Sequence, residues 1–435
     1  MGPDDARAVD ADVAGAVRRV LSAVLAQRMS AAESLDPLFA KDVAARVADF
    51  ARDGGKLTRS RFVWWGMRAC GSGSSVTAPT LRIAAALELI QTCALVHDDV
   101  MDAAPVRRGR PSLHADVAAQ YADTVSASHS PRLGQAAAIL AGDLALVWAD
   151  DLVAGTDLPS AAAARVGDLW STMRMEMVAG QYLDVQGEAT SARSLARAVR
   201  TACLKSALYS VERPLSLGAA LAGAAPGTTR ALSSVGRNIG LAFQLRDDLL
   251  DAFGEAHATG KPARGDIRSG KPTYLAAVAR ARAEGAGDRR ALALLHDTLG
   301  RADASDAELA EVCAVFEATG ARATVETKIG RLVDQGLHHL DSVPLVPHAG
   351  SRLRELLCAA AGAPSDAMGT APGAPPDRAG TAPGAPPDRA GGAAGAPPDR
   401  AGGAAGAPPD AVGDAPDAPV RVSLLPTADE DGGRR

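Results

Sequence analysis

Apolar positions recur at three- and four-residue steps over most of the first 361 residues, and no stretch alternates convincingly with the period of two that a half-buried strand requires. Val17, Val20, Leu21, Val24 and Leu25 set the rhythm of a helical region over about 9–53, which Gly54 and Gly55 break. Pro79 and Thr80 are placed to open the next helix, with Thr80 as its cap, and Pro105 forbids its continuation. A second helical run follows His114, then residues 126–134 (SASHSPRLG) read as a loop. Strongly apolar helices are expected at 135–153 and 169–185, another at 202–222, and one from about Ser233 that closes before Gly254. Helical patterns resume and continue to about Ala361, with glycine and proline falling mainly between them. The pattern predicts an all-α body, residues 1–361, without the strand–helix rhythm of a parallel sheet.

From Gly362 the pattern stops. GAPPD recurs at 373–377, 384–388, 395–399 and 406–410, an 11-residue period, and 14 of the 27 prolines lie in this segment. It has no aromatic residue and almost no large apolar ones, so it cannot bury enough surface to offset the entropy of ordering. Residues 362–435 are therefore expected to be a disordered, partly polyproline-II tail, with a proline-motif ligand for a partner as the alternative. VRVSLL, residues 420–425, is its one apolar piece.

The chemistry concentrates where two of the predicted helices end. Asp98, Asp99 and Asp102 close one, and Asp247, Asp248 and Asp251 close another with the same spacing. Residues four apart stack on one helix face about one turn from each other. Carboxylates in a last turn sit at the negative end of the helix dipole, each unfavourable by about 0.3–1 kcal/mol, so cations must balance them. Hard oxygen ligands with open positions suit Mg²⁺, which keeps waters and fills its shell from substrate phosphates. Two such helices facing each other would build a site across a central cavity, as helix bundles do.

Other residues fit that picture less specifically. Gly54 and Gly55 open onto Lys56 and Arg59, a backbone-and-cation arrangement that can bind phosphate. Arg107, Arg108 and Arg110 follow the first aspartates. Lys205 and Ser206 interrupt an apolar run; lysine is seldom buried unpaired, so Lys205 points at an anion in a cavity or snorkels to the surface. Asp143, Gln181 and Asp184 read equally as interhelical polar contacts and as cavity residues. A polar loop after Gly254 offers Lys261, Arg264, Asp266, Arg268 and Lys271.

Composition changes this little. A net charge of −5 over 435 residues gives no sign of a nucleic-acid surface. The five cysteines are scattered without paired spacing, as small core residues in a reducing compartment. The acidic first residues lack the order of a signal peptide, and no uninterrupted apolar run approaches membrane-spanning length. The expected compartment is the cytoplasm.

With both aspartate clusters in place, residues 15–361 resemble the polyprenyl synthetase family of trans-isoprenyl diphosphate synthases, most closely its bacterial geranylgeranyl diphosphate synthases. GGKLTR at 54–59, RRGRPSLH at 107–114, Gly142–Asp143, Gln181 with Asp184, Lys205–Ser206 and Phe243–Gln244 fall in the family's order. The resemblance implies an isoprenoid synthase-type helical bundle around a deep cavity, a homodimer, and head-to-tail 1'-4 condensation of isopentenyl and allylic diphosphates. It implies three Mg²⁺ ions at Asp98, Asp99, Asp102, Asp247, Asp248 and Asp251. Arg107, Lys205, Gln244 and Lys261 would hold the allylic diphosphate, Lys56, Arg59, Gln91 and Arg108 isopentenyl diphosphate, and Ser206 and Lys271 would also bind substrate. The chemistry would rest chiefly on Asp98, Asp102, Lys205, Gln244, Asp247 and Lys261. Ser60 departs from the proline that commonly follows the GGKxxR motif. Relatives that stop at C15 tend to carry bulky aromatics four or five residues before the first aspartate; Ala94 and Cys93 stand there. The implied product is C20, with Ile90, Leu87 and Trp148 as candidates for the deeper stop. A class I terpene cyclase would place a hydroxyl residue within its second metal motif, where Asp247, Asp248, Asp251 and Glu255 offer only carboxylates. A non-catalytic regulatory subunit would have lost acidic ligands, and all six are present.

Overall fold

The computed structural model describes residues 3–190, 194–254 and 264–362. Lys261 and the repeat tail lie outside the described residues. Helices dominate, and the only strands among the described residues form a hairpin of Val106–Arg107 with Arg110–Pro111. The all-α expectation holds.

Thr77–Met101 is the central helix. Val13–Leu35, Thr58–Ala69 and His129–Ala154 pack around it and bury Ile83, Ala84, Leu87, Leu89 and Ile90. Truncating Leu87 to Ala in such a core costs roughly 2–5 kcal/mol. Because it is enclosed, this helix carries apolar residues on all of its faces, with Glu88 as a buried exception in its middle. Its 25 residues are long and apolar enough to cross a membrane by length and composition, although Arg82, Glu88, Asp98 and Asp99 interrupt the apolar run; 72% of the apolar window is buried inside the protein.

Ser160–Thr190 and Pro226–Phe253 flank a continuous helical rod in which Leu195–Ala202 and Arg213–Leu221 are joined by a π-helical stretch, Cys203–Glu212. A second apolar cluster, with Leu245, Leu275, Leu309, Phe316 and Val325, supports the far side of Pro226–Phe253.

Several boundaries differ from the sequence expectation. The central helix begins at Thr77, and Thr80 lies inside its first turn with its hydroxyl donating back to the Val76 carbonyl at 2.7 Å, so it is no N-cap. Residues 129–134 are already helical, since Pro131 falls in a first turn whose N–H groups lack partners in any case. The second aspartate helix starts earlier than Ser233, at Pro226, with proline at its first position.

Candidate active site

The central helix ends at Met101 with Asp102 as its C-cap, which puts Asp98 and Asp99 in the last turn. Three cations meet them there. Arg107 is delivered by a two-residue hairpin loop, Arg108–Gly109, whose φ values of 54° and 74° match the twist-compatible turn that such hairpins favour. Arg107 Nε donates to Asp99 Oδ1 at 2.7 Å, and Nη2 to Asp98 Oδ2 at 3.2 Å. Lys205 Nζ donates to Asp98 Oδ1 at 3.2 Å and also to Asp184 Oδ2. Lys271 Nζ donates to Asp102 Oδ2 at 3.3 Å. Burial pushes Asp98 up, but Lys205, Lys271 and Arg107 outweigh it and hold the carboxyl at about 2. Burial and Lys271 push Lys205 down, and Asp98 and Asp184 more than restore it. Lys205 therefore points into the cavity, not to the surface.

Asp99 is different. It is 1% exposed, does not line the cavity, and leaves Oδ2 buried without a hydrogen-bond partner. Its visible role is to grip Arg107.

Around the second motif, carboxylates crowd together. Asp247 lines the cavity. Asp248 is buried and accepts from Gln244 Nε2 at 2.9 Å. Asp251 accepts from the backbone N–H groups of Gly265 and Asp266 at 3.2 and 3.0 Å, fastening the next segment to the helix. Burial, then Asp266, Asp247 and Asp251, push Asp248 well above the usual carboxylate range. Lys271 reaches Asp266 at 3.9 Å as well as Asp102, and so links the first motif to the segment that Asp251 fastens to the second aspartate helix. Such a crowd of hard oxygen donors, which keeps the buried Asp248 carboxyl well above its usual range, fits a divalent cation. Among the described residues no three His, Cys, Asp or Glu side chains converge to hold a metal unaided. Such an ion would share its shell with ligand oxygens.

Between the motifs lies a cavity of about 580 Å³. Asp98, Arg107, Lys205, Ser206, Gln244, Asp247 and Lys271 line its polar part, and Cys93, Ala94, Met177 and Val178 part of its apolar wall. Ile90, Leu87 and Trp148, named as deeper stops, do not line it; all three are buried in the core.

Further along the wall, Arg59 Nη2 donates to Ser210 Oγ at 2.8 Å, and its guanidinium lies 4.3 Å from the Tyr209 ring centroid. The Tyr209 hydroxyl donates to Gln91 Oε1. Arg108 donates to the Asp53 carbonyl at 3.0 Å and stands 5.0 Å over Phe50. Burial pushes Arg108 down; Glu88 opposes this and Arg107 reinforces it, with Asp53 and Arg59 acting more weakly in opposite senses. Neither Arg59 nor Arg108 makes an ion pair among the described residues, which leaves positive charge available to an anion. Lys56 is exposed on the neighbouring loop. Ser60, where relatives carry proline, is buried with its hydroxyl 2.5 Å from Glu88 Oε1 and 2.8 Å from the Ala84 carbonyl oxygen.

The structure thus brings together Asp98, Asp102, Gln181, Asp184, Lys205, Asp247, Gln244 and Lys271. It removes Asp143 from the group, since that side chain is 61% exposed with His97 Nε2 at 3.8 Å. Sequence reasoning missed Tyr209, Glu88 and Glu188. For Tyr209 a signal existed, because it lies four residues after Lys205 in the same helical stretch. Glu88 and Glu188 are single acids on long helices, and nothing in their spacing separates them from surface charge.

Helices around an apolar cavity capped by facing aspartate motifs and cations define a prenyltransferase, a class of enzyme that grips an apolar chain by a charged head. Residues 41–316 match the family model described as polyprenyl synthetase, and the chain belongs to that family. It is 33% identical over 302 residues to the (2E,6E)-farnesyl diphosphate synthase of Mycobacterium tuberculosis, covering 69% of this chain and 78% of that protein. It is 30% identical over 307 residues to the geranylfarnesyl diphosphate synthase of Aeropyrum pernix, covering 70% and 88%. The crystal structure of the Corynebacterium glutamicum geranylgeranyl pyrophosphate synthase with isoprenyl diphosphate and magnesium superposes with a TM-score of 0.73 at 37% identity, covering 79% of this chain and 98% of that one. These relatives differ in product length.

Proposed function

We propose that this enzyme condenses isopentenyl diphosphate with allylic diphosphates head to tail and stops at geranylgeranyl diphosphate. The observation that carries this reading is a single cavity whose polar end holds Asp98, Lys205 and Asp247 and whose wall at Cys93 and Ala94 has only small side chains. One isoprene unit is about as long as a helical turn, roughly 5 Å. Side chains one turn below Asp98 therefore decide whether a C15 chain can be extended, and Cys93 and Ala94 leave room.

Mg²⁺, three ions by resemblance to the family, would be held by Asp98 and Asp102 on one side and Asp247 and Asp251 on the other, and would supply positive charge to the leaving diphosphate. Asp99 and Asp248 support the site by holding Arg107 and Gln244. Lys205, Arg107, Gln244 and Lys271, with Ser206 and Lys261, bind the allylic diphosphate. Lys56, Arg59, Gln91 and Arg108 bind isopentenyl diphosphate. As the allylic C1–O bond breaks, Lys205 and Arg107 meet the growing negative charge on the leaving group from fixed positions. The isopentenyl double bond then attacks the allylic cation, and a proton passes to the departed diphosphate. No protein base is required.

The test of product length is Cys93→Phe. A phenylalanine there should shift the main product from C20 to C15 with little change in total turnover, read as prenol chain length after dephosphorylation. A variant that still makes C20 removes the wall from the argument.

The assembly is a homodimer in this reading. Ile139, Leu140 and Val147 on one helix and Met175 on the next are large apolar side chains left exposed in the single chain. Sedimentation of the purified protein at micromolar concentration should give the mass of two chains, and a monomer would contradict this.

A further inference from the structure

Lys205 sits on the π-helical stretch Cys203–Glu212, and that stretch is clamped by glycines from both neighbouring helices. A Cβ placed on Gly180 would lie 2.2 Å from Lys205 N and 2.4 Å from Lys205 Cα. One placed on Gly240 would lie 2.3 Å from the Ala207 carbonyl oxygen, and one on Gly236 2.4 Å from Glu212 Cα. These are backbone contacts, so no flexible side chain can yield. π-Helical turns are rare, occur frequently at functional sites, and persist when surrounding structure holds them.

The clamp joins three elements that carry polar groups of the cavity, with Gln181 and Asp184 on one, Lys205 and Ser206 on the next, and Gln244 and Asp247 on the third. Gly180 immediately precedes Gln181 and lies one turn before Asp184; Gly240 lies one turn before Gln244 and two before Asp247 and Asp248. We propose that Gly180 and Gly240 are positioning residues, which fix the π-helical turn at the height where the Lys205 amine reaches Asp98 and Asp184 together. The proposal rests on the reading of Lys205 as a ligand of the allylic diphosphate. A methyl group at residue 180 displaces the Lys205 backbone by about 1 Å before ordinary contact is restored, and a shift of that size at a catalytic group can cost about 10²-fold in rate.

Gly180→Ala is the test, with Gly134→Ala as the control. A Cβ on Gly134 would come equally close to backbone, 2.2 Å from the His114 carbonyl oxygen, but touches neither the π-helical stretch nor the cavity. Gly180→Ala should raise KM for the allylic diphosphate and lower kcat, each by at least tenfold, with KM for isopentenyl diphosphate within threefold of wild type. Gly134→Ala, with a similar loss of Tm, should keep all three constants within twofold in its folded fraction. Wild-type constants in folded Gly180→Ala overturn the proposal, as do losses in both variants that merely follow Tm. Should Gly180→Ala not fold, Gly240→Ala must show the tenfold fall in kcat. Lys205→Met is run in parallel: if it leaves kcat and the allylic KM unchanged, the assignment of Lys205 fails, whereas an impaired Lys205→Met beside an intact Gly180→Ala rejects only the clamp.

Discussion

Replacing Lys205 with Met keeps the apolar stem and removes the charge that links Asp98 to Asp184. The fall of Asp98 from its ordinary 3.8 to about 2, at about 1.4 kcal/mol for each pH unit, corresponds to a few kcal/mol at most, which Lys205 shares with Lys271 and Arg107. Asp184 is buried and loses the same partner, and breaking a buried pair from one side costs roughly 3–5 kcal/mol at most. A net loss on the order of 2–5 kcal/mol at pH 7 follows. Asp98 is depressed in the folded state, so its share of stability is present above its ordinary value and disappears as pH falls towards 2. The gap in Tm between wild type and Lys205→Met, measured without divalent metal, should be widest near pH 7 and shrink below about pH 4. In catalysis one fixed donor to a developing anion is worth about 10²–10³ in kcat. Steady-state kinetics with saturating Mg²⁺ should show that loss, with KM for isopentenyl diphosphate unchanged. Activity within tenfold of wild type, or a defect confined to the isopentenyl KM, refutes the assignment of Lys205 to the leaving diphosphate.

Arg59→Met should show the opposite split, raising KM for isopentenyl diphosphate by tenfold or more while the allylic KM stays within threefold, because Arg59 is placed by Ser210 and Tyr209 without an ion-pair partner among the described residues. Burial, with Asp184 and Asp102 adding to it and Lys271 opposing, pushes Glu188 up to about 7. A raised carboxyl favours the folded state at low pH and loses that contribution as pH rises through about 7, so Glu188→Gln should have a higher Tm than wild type at pH 8 and an equal Tm at pH 4.5. Chelating divalent cations should abolish product formation and leave the far-ultraviolet circular dichroism unchanged; loss of helicity would make the metal structural.

Both aspartate motifs were legible in the sequence because their function depends on spacing along single helices, and spacing is what a sequence displays. Lys205 was legible for a related reason, since a charge inside an apolar run must find a partner. Partnerships across helices were not. Gln181 and Asp184 could be read as packing or as site, and only the approach of Lys205 and Asp98 decides between them. The hairpin that delivers Arg107 has strands of two residues each, too short for any alternation. The π-helical stretch arises from tertiary packing against Gly180, Gly236 and Gly240, which local periodicity does not carry. Ile90 and Leu87 were named as deeper stops for the growing chain, yet helices pack around that part of the central helix and enclose them in the core.

The most direct measurement is an incubation of the purified full chain with radiolabelled isopentenyl diphosphate, Mg²⁺ and C5, C10 or C15 allylic diphosphates, with prenol length read after dephosphorylation. A C20 prenol is the expected product from each primer. Label that stays entirely in isopentenyl diphosphate, with the protein folded and Mg²⁺ present, would contradict synthase activity of the isolated chain.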